Sequence, residues 1–254
     1  MNCPSVTEVT PDGPGSLRAC LLSGGNSERM GTDKGQLIHP HGGNWLRHVL
    51  LLLAKLRIPI TVLSQHPAHL SQARSMAIEL GAQPQALEEP APREGPLLAL
   101  GRLMQWHGGD RLLLCPVDMP WLQESTLVAL VMAAERRPGR IHIAHDGTRP
   151  QPLLGIYPAS RAHRQALAAV LAAGDRRLMG WIEAVGFEAV PLPANSLRNA
   201  NRPQDLRSLE AELDNRAADA IPQDMPQPLG QPARACSHTH SATTWSPPSP
   251  NTSP

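Results

Sequence analysis

The chain has 254 residues, of which 41% are hydrophobic and 18% charged, and its formal net charge at pH 7 is +1. That length can bury a sizeable core as one large domain or two small ones. The near-zero charge gives no global field to draw a polyanion, which excludes nucleic acid and an anionic membrane surface as whole-molecule partners and makes any anion binding local.

The amino-terminal stretch MNCPSVTEVTPDGPG has neither the basic nor the apolar region of a secretory leader, and residues 1–16 are expected as a loose leader to the folded domain. LRACLLS follows as a buried strand that runs straight into a glycine-rich loop. NWLRHVLLLLAKLRI then reads as a helix, ITVLSQ as a strand, and HLSQARSMAIELG as a helix whose Gly81 suits the position just past its end. The longest apolar run, VLLLLA, is too short to cross a bilayer. After a proline-broken loop, GPLLALGRLMQWHGG reads as a helix and DRLLLCPVD as an apolar strand, and Pro120 precedes the helical pattern Leu127, Leu130, Val131, Ala134. Continuously apolar strands separated by helices imply a doubly wound α/β fold, a mostly parallel sheet with helices on both faces.

The chain carries 27 prolines, an excess for a soluble protein, and most of the surplus lies after residue 215. Residues 215–254 mix Pro, Gln, Ser and Thr with almost nothing to bury and are expected as a disordered tail. Cys236, His238 and His240 there lie at metal-ligand spacing, but a flexible trio lacks the fourth fixed ligand of a structural site. The four cysteines, Cys3, Cys20, Cys115 and Cys236, form no C-x-x-C pair, and Cys20 and Cys115 sit inside apolar runs. A reducing compartment and a cytoplasmic location are the expectation. The folded domain is expected over 17–214.

In such sheets ligands bind beyond the carboxyl ends of the strands. Two loops there carry chemistry: LLSGGNSERMGTDKGQL after the first strand, and CPVDMPWL, where Asp118 leaves a strand end. Both are expected to face one crevice. Gly24, Gly25 and Gly31 permit backbone amides to wrap an oligophosphate, while Arg29 and Lys34 add charge. The alternative is an ordinary strand-to-helix turn with solvated charges. Neither G-x-x-x-x-G-K-[ST] nor G-x-G-x-x-G fits the loop, so it is no Walker or dinucleotide fingerprint.

The pattern that does fit is G-G-x-S-x-R-M-G-x-D-K, and with it the sequence closely resembles the molybdenum cofactor guanylyltransferase family of nucleotidyltransferases. REGPLLAL is similar to that family's G-P-L segment, CPVDMP to its metal-site P-x-D-x-P, and HDGTRPQPLLGIYP to its substrate-side hairpin. GDRRLMGWI and NANRPQDL resemble its late G-x-R-R helix and its N-x-N-x-P-x-D-L segment, so the likeness runs in order from about Leu17 to Leu213.

The resemblance implies that GTP donates GMP to the terminal phosphate of the molybdopterin-bound molybdenum cofactor, giving molybdopterin guanine dinucleotide and pyrophosphate. It implies Mg²⁺ held by Asp118, with Leu22, Ser23, Gly24 and Gly25 on the base and ribose side and Arg29, Gly31 and Lys34 on the phosphates. Arg29, Lys34 and Asp118 would carry catalysis. Ser23 departs from the alanine common there. Glu88 and Glu89 fall where the family often has an aspartate; Gly95 and Pro96 shape the approach to the nucleotide or simply start a helix. Asn199 and Asn201 match a pair near the metal and the second substrate, or form a turn before the helix start at Pro203 and Asp205. Arg176 and Arg177 contact the anionic pterin or are a solvated helix face. At Gln151 many relatives carry histidine. His39 and His41, in a Pro/Gly loop, are expected to be exposed. The implied partners beyond GTP and the cofactor are other cofactor-synthesis proteins or recipient molybdoenzymes. A cytidylyltransferase on the same cofactor, a sugar-phosphate nucleotidyltransferase and a non-transferring GTP-binding module remain as alternatives.

Overall fold

The computed structural model describes residues 15–24, 33–40, 42–90, 95–201 and 205. The expected tail and residues 1–14 of the expected leader lie outside them. Seven strands, Leu17–Leu22 (β1), Ile60–Ser64 (β2), Gln85–Glu88 (β3), Arg111–Pro116 (β4), Ile141–His145 (β5), Pro150–Pro158 (β6) and Phe187–Pro191 (β7), form one sheet in the order β3-β2-β1-β4-β6-β5-β7. All pairs are parallel except the two made by β6, which runs against both β4 and β5. The doubly wound, mostly parallel α/β architecture is therefore present, with one reversed strand inside it.

Burial explains why the strands read as unbroken apolar runs. Along β1, Ala19 and Leu21 face one layer while Cys20 faces the other, and along β4 Leu113 and Cys115 alternate in the same way with Leu112 and Leu114. The first layer is covered by Trp45–Lys55 (α1), Pro67–Ser75 (α2), Ala77–Leu80 (α3) and Glu124–Glu135 (α5). The second is covered by Pro96–Trp106 (α4), Arg161–Ala172 (α6) and Leu178–Val185 (α7), and holds the stacked pair Tyr157 and Trp181. Burial pushes the Cys20 thiol up to about 12, so it stays a protonated packing group.

Local chemistry sets the boundaries. Asn44 caps α1 by accepting from the Arg47 amide at 2.9 Å. The helix expected to run to Gly81 is interrupted at Met76, and Gly81 then ends α3 in the left-handed region at φ 68°. Strand β3 lies in what reads as a proline-broken loop; it has four residues, too few to show a period. The reversed strand enters through a turn at Asp146, whose Oδ1 accepts from the amides of Thr148 and Arg149. No helix among the described residues is long and apolar enough to cross a membrane.

Candidate active site

The carboxyl ends of β1, β2 and β4 lie side by side, because the Ser23 amide donates to Leu63 O at 3.0 Å and the Val117 amide to Leu22 O at 3.1 Å. Beyond them opens a crevice lined by Leu22, Ser23 and Gly24 after β1, by Asp33, Lys34 and Gly35, and by Pro116, Val117 and Asp118 after β4. His69, Glu89, Gly95, Pro96, Ala99 and Leu153 complete it. The described ends of the first loop, 22–24 and 33–35, share this crevice with residues 116–118 of the second.

Lys34 is the centre of its polar side. It opens a short 3-10 turn, Lys34–Gln36, whose cap is Asp33: the carboxylate accepts from the Gly35 amide at 3.0 Å. From this turn Lys34 Nζ donates to Asp118 Oδ2 at 3.0 Å and to Asn201 Oδ1 at 2.6 Å. Three segments far apart in sequence thus converge on one ammonium. The last is tied down independently, since the Ala200 amide donates to the Asp118 carbonyl at 3.0 Å and the Asn201 amide to Asp205 Oδ2 at 2.8 Å. Under it Trp45, Trp121 and Ala200 form a small buried cluster with Leu37 and Val117 against it, and the Arg198 guanidinium lies 4.2 Å over the Trp121 ring.

The opposite wall carries a different carboxylate from the one expected. Glu88 ends β3 facing solvent and does not line the crevice, whereas Glu89 is 7% exposed and does. The reason is strand alternation: successive residues point to opposite sides, and the Glu89 amide continues the ladder by donating to Ser64 O at 2.9 Å. Glu89 Oε1 lies 3.7 Å from Arg102, and a Cβ on Gly24 would meet Glu89 Oε2 at 2.8 Å. Glycine at 24 leaves that carboxylate its place. Gly95 precedes Pro96 and α4 at φ 96°, ψ 175°, a conformation essentially reserved for glycine. Gly95→Ala is accordingly expected to lower stability by about 1–2 kcal/mol, checked by denaturant unfolding.

Of the other expected site residues, Gly25, Arg29 and Gly31 lie outside the described residues. Asn199 precedes Ala200, whose amide reaches the Asp118 carbonyl, and its Oδ1 is buried with no hydrogen-bond partner among the described residues. Arg176 and Arg177 precede α7, are exposed, and do not line the crevice; Arg177 pairs with Asp175 at 2.8 Å. Gln151 donates to Asp146 Oδ2 at 2.7 Å, which fixes it to the β5–β6 turn. His39 is not exposed: it is buried, stacked on His48 with ring centroids 3.7 Å apart, and its Nε2 lies 3.1 Å from the Pro120 carbonyl. It braces the Asp118 loop against α1. His41 lies outside the described residues. Among the polar lining residues, sequence reasoning did not assign Asp33 or His69 to the crevice and left Glu89 open beside Glu88; the contacts of His69 are distant in sequence, so no local pattern marks it.

The donor chemistry suits magnesium. Three carboxylates, of Asp33, Glu89 and Asp118, face one lysine among the described residues lining the crevice, so a triphosphate there needs a cation. Asp118 at the end of β4 offers hard carboxylate oxygens to the crevice, and Mg²⁺ commonly uses one or two protein carboxylates and completes its shell with phosphate and water. No group of three or more His, Cys, Asp or Glu side chains arranged for a metal occurs among the described residues.

A family model for the MobA-like NTP transferase domain matches residues 19–189. A protein of Rhodopirellula baltica named "probable molybdenum cofactor guanylyltransferase" is 34% identical, over 79% of this chain and 95% of that one. A Cereibacter sphaeroides protein named molybdenum cofactor guanylyltransferase is 31% identical, over 78% of this chain and 97% of that one. Among solved structures, molybdopterin-guanine dinucleotide biosynthesis protein A from Archaeoglobus fulgidus superimposes with a TM-score of 0.60 at 19% identity, covering 78% of this chain and 99% of the other. A CMP:2-keto-3-deoxy-manno-octonic acid synthetase bound to CTP has the same fold, with a TM-score of 0.61 at 11% identity, over 80% of this chain and 100% of that one.

Proposed function

Because the chain belongs to the MobA-like NTP transferase family and is a nucleotidyltransferase, we propose that it moves GMP from GTP to the terminal phosphate of the molybdopterin-bound molybdenum cofactor. An oxygen of the acceptor phosphate attacks the α-phosphorus of GTP, a new P–O bond forms, and the bond from the α-phosphorus to the β-bridging oxygen breaks to release pyrophosphate. Two polyanions meet in this step, so alignment and countercharge matter more than a protein nucleophile. The observation that carries the reading is the convergence of Lys34, Asp118 and Asn201 at the carboxyl ends of β1 and β4.

In this reading Lys34, with Arg29 and the Gly31 backbone, holds the phosphates. Leu22, Ser23, Gly24 and Gly25 carry the base and ribose, with Gly95 and Pro96 shaping the entry. A magnesium ion held by Asp118, with Asn199 close by, supplies countercharge to the triphosphate. Asn201 keeps the Lys34 ammonium directed into the crevice until phosphate takes its place. Arg176 and Arg177 serve the anionic pterin from outside the crevice. Glu89 faces the side assigned to the base, where a carboxylate can accept from the adjacent N1–H and N2–H donors that guanine has and cytosine lacks. Glu89→Gln is therefore expected to cut the preference for GTP over other nucleotides by about tenfold or more, measured as the ratio of kcat/KM values.

The decisive assay supplies Mg²⁺, GTP or CTP, and the purified cofactor as acceptor. Pyrophosphate release from GTP, much slower release from CTP, and none without acceptor is the expected result. Equal release with and without acceptor overturns transfer in favour of hydrolysis, and a preference for CTP favours the cytidylyl alternative.

A further inference from the structure

His69, on α2, is 1% exposed yet touches three other segments. Its Nε2 lies 2.7 Å from Asp33 Oδ2, and its Nδ1 lies 2.9 Å from Ser23 Oγ, 2.9 Å from Ser23 O and 3.2 Å from Ser64 Oγ. The approach of Nε2 to the carboxylate is close but not aligned as a hydrogen bond, so the ring edge and the Asp33 carboxylate meet by charge and packing. On the other side, the Ser23 carbonyl is an acceptor only, so Nδ1–H donates to it at 2.9 Å, alongside the Ser64 hydroxyl, which donates to the same carbonyl at 2.7 Å. The chain of contacts then runs from the end of β2 to the end of β1, through the His69 ring, to Asp33.

Asp33 passes it on, because its Oδ1 accepts from the Gly35 amide that closes the turn bearing Lys34. The ring also needs glycine at 35, where a Cβ would lie 2.7 Å from His69 Nε2, 2.8 Å from Cε1 and 3.3 Å from Ser23 Oγ. Serine, histidine and aspartate together suggest a nucleophile set, but Ser23 is 1% exposed with Gly35 packed against its hydroxyl. The trio orders the loop instead.

We propose that His69 is a positioning residue: with Ser23 it fixes the Asp33 carboxylate, and through Asp33 it holds the turn that presents Lys34 to the nucleotide phosphates. This rests on the phosphate-binding role of Lys34 proposed above, and it gives the Ser23 hydroxyl, present where alanine is common, a task of its own.

The test is a double-mutant cycle on the full chain, reading the dissociation constant of Mg²⁺–GTP by calorimetry for His69→Phe, Lys34→Met and the pair. His69→Phe is expected to weaken binding about tenfold in the wild-type background and less than twofold when Lys34 is already methionine. His69→Gln, whose amide N–H reaches toward Asp33, is expected to recover most of the loss. Asp33→Asn can keep the Gly35 cap but removes the charge beside the His69 ring, and is expected to repeat the His69→Phe loss should that variant fold poorly. Equal weakening in both backgrounds, or none in the wild type, overturns the proposal while leaving the transferase reading intact. Wild-type protein that binds no Mg²⁺–GTP instead removes the reading on which it rests.

Discussion

Asp118→Ala is expected to lower the rate of GMP transfer by roughly a hundredfold or more, the usual consequence of removing a preorganised electrostatic element from a site. Two losses combine in it. The proposed magnesium anchor disappears, and Lys34 loses the carboxylate that lies 3.0 Å from its ammonium. The fold is not expected to follow, because the structural tie at this position is made by the backbone: the Ala200 amide donates to the Asp118 carbonyl whatever the side chain. Both groups are partly open to solvent, with side chains 17% and 23% exposed, so the pair itself contributes on the order of 1 kcal/mol or less to stability. Asp118→Asn separates charge from shape: it retains an oxygen that can accept from Lys34, and it is expected to remain within a fewfold of the alanine variant in rate. Steady-state pyrophosphate release at saturating and limiting Mg²⁺, with Tm as the control, measures this. An alanine variant with near-normal turnover would remove Asp118 from the reaction.

Lys34→Met should weaken GTP binding and slow transfer together, for a different reason. A charge-assisted hydrogen bond to phosphate contributes about 1.5–3 kcal/mol, equivalent to roughly ten- to 150-fold in affinity, and part of that is expected to grow as the leaving pyrophosphate gains charge. The methionine side chain keeps most of the stem's packing while removing the ammonium. Lys34→Arg is no rescue in this geometry, since a planar fork does not replace a compact point charge held between a carboxylate and an amide oxygen. The expected pattern is a rise in the GTP dissociation constant of at least tenfold with a further drop in kcat. A change confined to Tm would reassign Lys34 to a structural role.

The parts of the fold that were legible in the sequence are those buried on both faces. Strands β1, β2 and β4 and helices α1, α2, α4 and α5 announce themselves as apolar runs or helical periods because the sheet is covered on each side. What was not legible has physical causes of its own. Strand β3 is short and flanked by prolines, and β6 reverses direction through a turn visible only as part of a family-like segment. Choosing between Glu88 and Glu89 is a matter of one residue in strand register, which inverts the face each side chain takes. His39 carried only the signature of an exposed Pro/Gly loop, and its burial depends on the ring of His48 and a carbonyl at residue 120. His69 lies inside an unremarkable helical pattern, and nothing local marks the three segments that meet on its ring.

The candidate site was legible to the extent that its residues follow strand ends. Lys34 and Asp118 meet as expected, and Asn201 joins them. Arg176 and Arg177 are not brought to the crevice.

The most direct measurement follows the phosphorus itself. With GTP labelled at the α-phosphate, Mg²⁺ and the molybdopterin-bound cofactor, the label should appear in a pterin dinucleotide whose mass exceeds that of the acceptor by one GMP unit less water, with unlabelled pyrophosphate released in equal amount. Label recovered only as free GMP, or as unreacted GTP under conditions where the folded protein binds both compounds, would contradict transfer.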